Sequence, residues 1–160
     1  MASSALVVIG NEILSGKIID TNTPFLITEL RSLGVRLAEI VVVPDEVERI
    51  AEAVSRVAAR NDSVFTSGGV GPTHDDVTME GIAAAFSVPV IRHPRLETLL
   101  RGYYEHQNLP LAARNLRMAD VPQGAELIDG PDLRWPVVQM QNVFILPGIP
   151  EIFRRKFAAI

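Results

Sequence analysis

The sequence predicts an α/β protein: a mostly parallel central sheet with helices on both faces, three layers deep, plus a C-terminal β-hairpin. Three observations carry this expectation. Short apolar runs alternate with segments of helical periodicity, the pattern of strands joined by crossover helices. The first run, Ala5-Leu6-Val7-Val8-Ile9, is apolar throughout, as a strand buried on both faces requires. Lastly, a glycine-rich loop follows directly from the end of a later apolar run, where parallel sheets place their ligand-binding turns.

The elements follow in order. The first strand ends at Gly10, and a polar stretch leads to about Asn22. Thr23-Pro24 then reads as an N-cap and first helical residue, opening a helix that runs to Leu33 and stops at Gly34. Leu37 to Val43 is the second strand. Asp45 and Glu48 have capping-box spacing, and Val47, Ile50, Ala51, Val54, Val57 and Ala58 recur along one face of the helix that follows. Ser63 to Thr66 is the third strand. Thr78 is placed to cap a short helix whose inward side is Met79, Ile82, Ala83 and Phe86.

Val88 to Ile91 reads as a short strand, and Pro94 opens a helix with Leu96, Leu99, Leu100 and Tyr103 inward. Leu111 to Met118 carries a weaker helical pattern. Glu126 to Ile128, Val137 to Met140 and Val143 to Leu146 read as strands, the last two joined as a hairpin by Gln141-Asn142. Pro147-Gly148-Ile149-Pro150 starts a final helix, still running at Ile160, so chain is expected beyond this residue.

Bulk properties narrow the function. The 160 residues suit one domain with its own core. Without cysteine there is no disulfide, no thiolate metal site and no cysteine nucleophile. Met1-Ala2-Ser3-Ser4 lacks the features of a signal peptide and no apolar run reaches bilayer length, so a cytoplasmic protein without membrane partners is expected. The net charge of −4 with dispersed basic residues argues against nucleic acid, whose affinity comes from concentrated positive charge.

The loop Gly68-Gly69-Val70-Gly71-Pro72-Thr73-His74-Asp75-Asp76 is the principal candidate site. Its glycines let backbone amides approach phosphate oxygens closely. It is neither a P-loop nor a dinucleotide fingerprint, since it lacks the Gly-Lys-Ser/Thr ending and does not follow the first strand. Asp75 and Asp76 precede a helix, where one of them serves as an ordinary dipole partner. Two carboxylates beside a phosphate repel it unless a divalent cation such as Mg or Co bridges them, so these two are the candidate metal ligands.

Thr66, Ser67, Pro72 and Thr73 flank the glycines as ligand-binding candidates, and Gly148 marks a second turn of the same kind. A Pro/Gly turn without function accounts for Gly148 equally simply. Glu12 and Asp20 in the first loop are catalytic candidates, though each also reads as a solvated loop acid. Asn22 fits a ligand contact or a helix cap. Arg114-Asn115 could face a phosphate, which makes Asn115 a binding candidate, or simply lie in solvent. Trp135 reads as packing.

Taken together, Gly10-Asn11-Glu12-Ile13-Leu14-Ser15-Gly16, Asp20-Thr21-Asn22, Thr66 through Thr78, and Leu146-Pro147-Gly148-Ile149-Pro150 resemble the CinA-like branch of the molybdopterin-binding (MoaB/Mog) domain family. The spelling is most similar to the domain at the N-terminus of eukaryotic FAD synthase. The resemblance implies the MoaB/Mog three-layer fold and a dimer or trimer. It also implies one of two activities: molybdopterin binding or adenylylation, or divalent-metal-dependent pyrophosphatase action on ADP-ribose or FAD. A nucleotide-binding module without catalysis is the remaining alternative. Asn11 departs from the CinA pattern, which usually has an acid there, and Asp20 stands where that branch usually has asparagine. The nicotinamide mononucleotide deamidase activity of the second CinA domain is not expected of these residues.

Overall fold

The computed structural model describes residues 1–160. β1 (Ser3–Ile9) lies between two parallel neighbours, β2 (Arg36–Val43) and β3 (Ser63–Ser67). β3 pairs in parallel with β8 (Val143–Leu146), and β7 (Val137–Met140) and β6 (Glu126–Ile128) continue the sheet antiparallel. The order is therefore β2-β1-β3-β8-β7-β6. Ala5 to Ile9 are each no more than 2% exposed, which explains the uninterrupted apolar run.

Alternation along β1 divides the core. Ala5, Val7 and Ile9 pack on the face covered by α3 (Val47–Ala58), α4 (Thr78–Ala85) and α5 (Pro94–His106). Leu6 and Val8 face α2 (Asn22–Ser32) and α6 (Pro150–Phe157), where Phe153 and Phe157 meet the ring of Phe25 edge-on. α4 lies close to α3 because Gly81 has no side chain: a Cβ there would sit 2.4 Å from Ile50 Cγ2. The three-layer expectation and the β7–β8 hairpin are both met.

Several local expectations are corrected. α2 begins at Asn22, and Asp20 rather than Thr23 caps it: Asp20 Oδ1 accepts from the amides of Asn22 at 2.9 Å and Thr23 at 3.1 Å. Asp45 caps nothing. It accepts from the Asn11 amide at 2.9 Å, tying the short α1 (Asn11–Leu14) to the turn after β2. Thr78 is the first residue of α4 and spends its hydroxyl on the Gly68 carbonyl instead of a cap.

The second half departs further. β4 (Val90–Arg92) leaves the main sheet and pairs with an unforeseen strand, β5 (Asp120–Pro122), fastened by the Arg92–Asp120 ion pair at 2.8 Å. The weak helix near Leu111 is a 3-10 turn over Ala113–Ala119. α5 buries Leu96 and Leu100 but leaves Leu99 37% and Tyr103 52% exposed. α6 ends at Phe157, where the Ala159 amide turns back onto the Lys156 carbonyl.

Candidate functional site

β1, β3 and β8 are adjacent and parallel, so their carboxyl ends lie side by side. From them depart the segments that lead into α2, α4 and α6, whose N-termini therefore gather at one edge of the sheet. Helix N-termini carry unsatisfied amides and the positive end of the dipole, and strand order reverses at β1, so this edge is where an anion is expected.

The glycine-rich loop is held by backbone geometry. Gly68 has φ +105° and passes so near β1 that a Cβ would lie 2.1 Å from the Ile9 carbonyl oxygen. Its own amide donates to the Leu146 carbonyl at 3.2 Å, so Gly68 shapes the cradle and does not supply a donor to a ligand. The amides of Gly69, Val70 and Gly71 make no hydrogen bond within the chain, which leaves three unbonded donors in the loop. Thr78 pins the loop at its base, taking the Gly68 carbonyl with its hydroxyl and the Gly69 carbonyl with its amide at 3.1 Å.

Asp76 closes the far side. Its Oδ2 accepts from the Thr73 amide at 3.0 Å and the Thr73 hydroxyl at 2.6 Å. A side chain at Gly71 would meet that same oxygen at 2.6 Å, so the third glycine admits the aspartate. Arg117, from the 3-10 turn, secures the outer end by donating to the Thr73 carbonyl at 2.8 Å and pairing with Glu80 at 2.9 Å.

Asn22 joins the loops. Although 3% exposed, it donates through Nδ2 to Ser67 Oγ and to the Gly148 carbonyl, each at 2.9 Å, while its buried Oδ1 has no partner. Both donors are consumed, so Asn22 cannot donate to phosphate. Its remaining acceptor is buried, so Asn22 serves to latch the loops together.

Two cavities flank the loop. One of about 410 Å³ is bounded by Glu12, Asp20, Asn22, Ser67, Gly68 and Gly148, and it has room for a phosphate-bearing ligand. The other, of about 280 Å³, lies across the loop. Gly69, Val70, Asp76, Pro147 and Ile149 form walls of both.

The sequence candidates thus divide. Glu12, Asp20, Asn22, Ser67, Gly68, Gly69, Asp76 and Gly148 meet around the larger cavity, while Gly71 and Pro72 line the smaller one. Thr66 has no exposed surface and faces neither. Asn115 lies with Pro72, Thr73, His74, Arg114 and Arg117 in a separate polar cleft on the loop's outer side. Asp20 lines the larger cavity, yet its carboxylate is committed to α2 and Thr23. Asp75 is turned to solvent, paired at 3.2 Å with the exposed His74, so the neighbouring aspartates are not engaged as a matched pair.

Negative charge nevertheless collects at this rim. The Asp45 carboxyl is pushed above the usual carboxylate range, first by burial and then by the nearby carboxylates of Glu12, Asp75 and Asp76, against the Asn11 amide that lowers it. No group of three or more acidic or histidine side chains converges into a ready-made metal cage. The carboxylates on the larger cavity, Glu12, Asp20 and Asp76, are hard oxygen donors of the kind divalent cations take, with Asp20 already spent on α2.

Three residues escaped the sequence reading. Arg117 stands three places beyond Arg114 in the turn, and that spacing was its only trace. Asp45 looked like a cap. Lys156 looked like one cation in the basic run Arg154-Arg155-Lys156, yet it is 7% exposed and lines the smaller cavity.

A glycine-rich loop with unbonded amides thus lies at the switch point of a three-layer α/β fold, rimmed by acids. The chain belongs to the molybdopterin-binding-domain family: the family model described as a probable molybdopterin binding domain matches residues 5–160. A CinA-like protein of Gloeobacter violaceus is 35% identical over 99% of this chain and 38% of its own length. A probable FAD synthase of Caenorhabditis briggsae is also 35% identical, over 97% of this chain and 33% of its own length. Identity to the FAD synthase thus does not exceed that to the CinA-like relative. The chain spans well under two thirds of both.

Among solved structures, CinA from Thermoplasma acidophilum superposes with a TM-score of 0.87 at 28% identity, covering 99% of this chain and 95% of that one. MoaB from Thermus thermophilus, at 21% identity and TM-score 0.62 over 99% of this chain and 89% of its own, shares the fold. No helix here is long and apolar enough to cross a membrane.

Proposed function

We propose that this domain is a divalent-metal-dependent pyrophosphatase acting on a dinucleotide such as ADP-ribose or FAD. The observation that carries this reading is the meeting of two unbonded loop amides, those of Gly69 and Val70, with the carboxylates of Glu12 and Asp76 on one cavity, the unbonded Gly71 amide following next in the loop. Amides alone would serve binding; the acids add a means of handling a cation and a proton.

Asp76, whose Oδ1 is left free by the Thr73 contacts, would hold the ion, with Glu12 lining the same cavity. When bound, the ion would offset phosphate charge and acidify a water molecule. Gly69, Val70 and Gly71 hold the phosphate oxygens in place. The Glu12 side chain has no hydrogen-bond partner in the chain, only its backbone carbonyl accepting from Ser15 and Ile18, so its carboxylate is available to take the proton from a water attacking phosphorus. The bridging P–O bond then breaks and two monophosphate esters leave. Asp20 and Asn22 keep the loops in register.

A screen of Mg²⁺ and Co²⁺ against ADP-ribose, FAD and related dinucleotides, read by mass spectrometry, tests the reading. AMP is the expected product, and Glu12→Gln should lower kcat by roughly 100-fold or more. No AMP from any pair, or an unaltered rate in both Glu12→Gln and Asp76→Asn, overturns it.

A second reading, molybdopterin binding or adenylylation in molybdenum cofactor biosynthesis, is favoured by the match to the molybdopterin-binding family and by the fold shared with MoaB. There the same loop would hold the pterin phosphate. Pterin retained through purification, or rescue of a strain lacking that step, would select it; tight nucleotide binding without turnover would leave a binding module. Self-association is also proposed, because edge strand β2 exposes Ile40 at 43% and Val42 at 41% on one face. Light scattering at a monomer mass would exclude it.

A further inference from the structure

The smaller cavity holds a group that neither the fold nor the phosphate loop requires. Lys156, on α6, reaches inward beside α6's two core phenylalanines and donates from Nζ to the Pro136 carbonyl at 2.9 Å. It enters no ion pair, although it is one of only two lysines in a chain whose other cations are arginines. An ammonium has three N–H donors, and burying one with a single partner is costly unless something else accepts. The cavity's walls combine the apolar and polarizable Met79, Met118, Trp135, Ile145 and Ile152 with the charged Asp76, Glu80, Arg117 and Asp120, none of which pairs with Lys156.

At about 280 Å³ this space is at the small end of ligand cavities, suited to one ring system rather than a whole dinucleotide. Methionine and tryptophan walls suit the face of an aromatic ring. The cavity also shares Gly69, Val70 and Asp76 with the phosphate cavity, so a ligand anchored on the loop can extend into it. Building on the phosphate-ligand reading above, we propose that this cavity receives a purine-sized heteroaromatic ring at one end of the ligand, with Lys156 Nζ donating to a ring nitrogen or carbonyl oxygen.

Burial brings the Lys156 amine down to about 8, so near neutral pH it is still largely the charged, strongest donor. The larger cavity then takes the phosphates and the group that lies beyond them.

Trp135 is the only tryptophan and stands in this wall, so it reports on occupancy directly. Fluorescence excited at the tryptophan band is followed during titration with adenosine, AMP and inorganic pyrophosphate. Adenosine and AMP should quench it and pyrophosphate should not. Lys156→Met should weaken AMP by ~10-fold or more, the worth of a charged hydrogen bond, and leave pyrophosphate affinity unchanged. Ile152→Phe, which fills the cavity from one turn of α6 before Lys156, should do the same, and it decides the matter if the lysine variant does not fold. Silence of Trp135 toward both adenosine and AMP, or equal AMP affinity in the folded variants, overturns the assignment. Hydrolysis of ADP-ribose with Trp135 silent would sink this pocket and leave the pyrophosphatase standing; quenching without hydrolysis would do the reverse.

Discussion

Asn22 reaches across the strand ends to the Gly148 carbonyl, a 2.9 Å hydrogen bond between residues 126 positions apart. With its second bond to Ser67 Oγ, it joins the turns after β1, β3 and β8 at one buried point. Asn22→Ala leaves the buried Ser67 hydroxyl and the part-buried Gly148 carbonyl without this donor and should cost about 2 kcal/mol. Asn22→Asp should be worse despite its similar shape, because a carboxylate oxygen would then face the Gly148 carbonyl. Urea melts rank the two; an aspartate variant as stable as wild type contradicts the latch.

Two glycines offer a contrast. Gly68→Ala drives a Cβ into the Ile9 carbonyl at 2.1 Å in a left-handed backbone, and a loss of about 3 kcal/mol or more is expected. Gly102, within α5, has nothing within 4 Å, so Gly102→Ala should raise stability by about 0.5–1 kcal/mol. Thermal melts should move in opposite directions.

Lys156 makes stability depend on alkaline pH. Its amine titrates near 8 in the folded chain, below the 10.5 usual for lysine, so above pH 8 the unfolded chain binds the extra proton. The sign follows: wild-type stability should rise with pH from about 8 to 10.5, relative to Lys156→Met, by up to about 3 kcal/mol. Below pH 8 the difference between the two should be flat. Denaturant melts across that window check it, and a parallel course of both proteins would show that the amine is not buried as described.

The paired aspartates should separate in their effects. Asp76→Asn disturbs the oxygen that closes the loop on Thr73 and faces both cavities, so ligand affinity should fall by ~10-fold or more. Asp75→Asn, with its side chain 73% exposed and matched only to His74, should change affinity less than ~2-fold. Calorimetric titration with a nucleotide diphosphate measures both, and equal losses would restore the symmetrical pair that the sequence suggested.

Where periodicity and burial coincide, the fold was legible. The run from Ala5 to Ile9 and the stripe through Ile50, Val54 and Val57 are local patterns imposed by one buried face. β5 was not legible because its three residues, one of them Pro122, carry no period and pair only with β4, far away in the chain. The site was half legible for the same reason. Glycine spacing announced the loop, but nothing near Asp20 reveals that its carboxylate is spent on α2, and nothing near Lys156 distinguishes it from the exposed Arg155. Those roles belong to contacts made only after the sheet assembles.

The β3–β8 pairing has a kinetic consequence. Val64 sits beside Val143, and the cradle needs Leu146 and Gly148 to hold Gly68 and Asn22 in place. A chain emerging from the ribosome can form the β1–β2 pair early, but no ligand can assist its folding until residues near Pro150 are free. Long-range closure of this kind is slow, so β3 waits with one edge unpaired, and ligand-assisted rescue of destabilised variants should act on the completed chain alone.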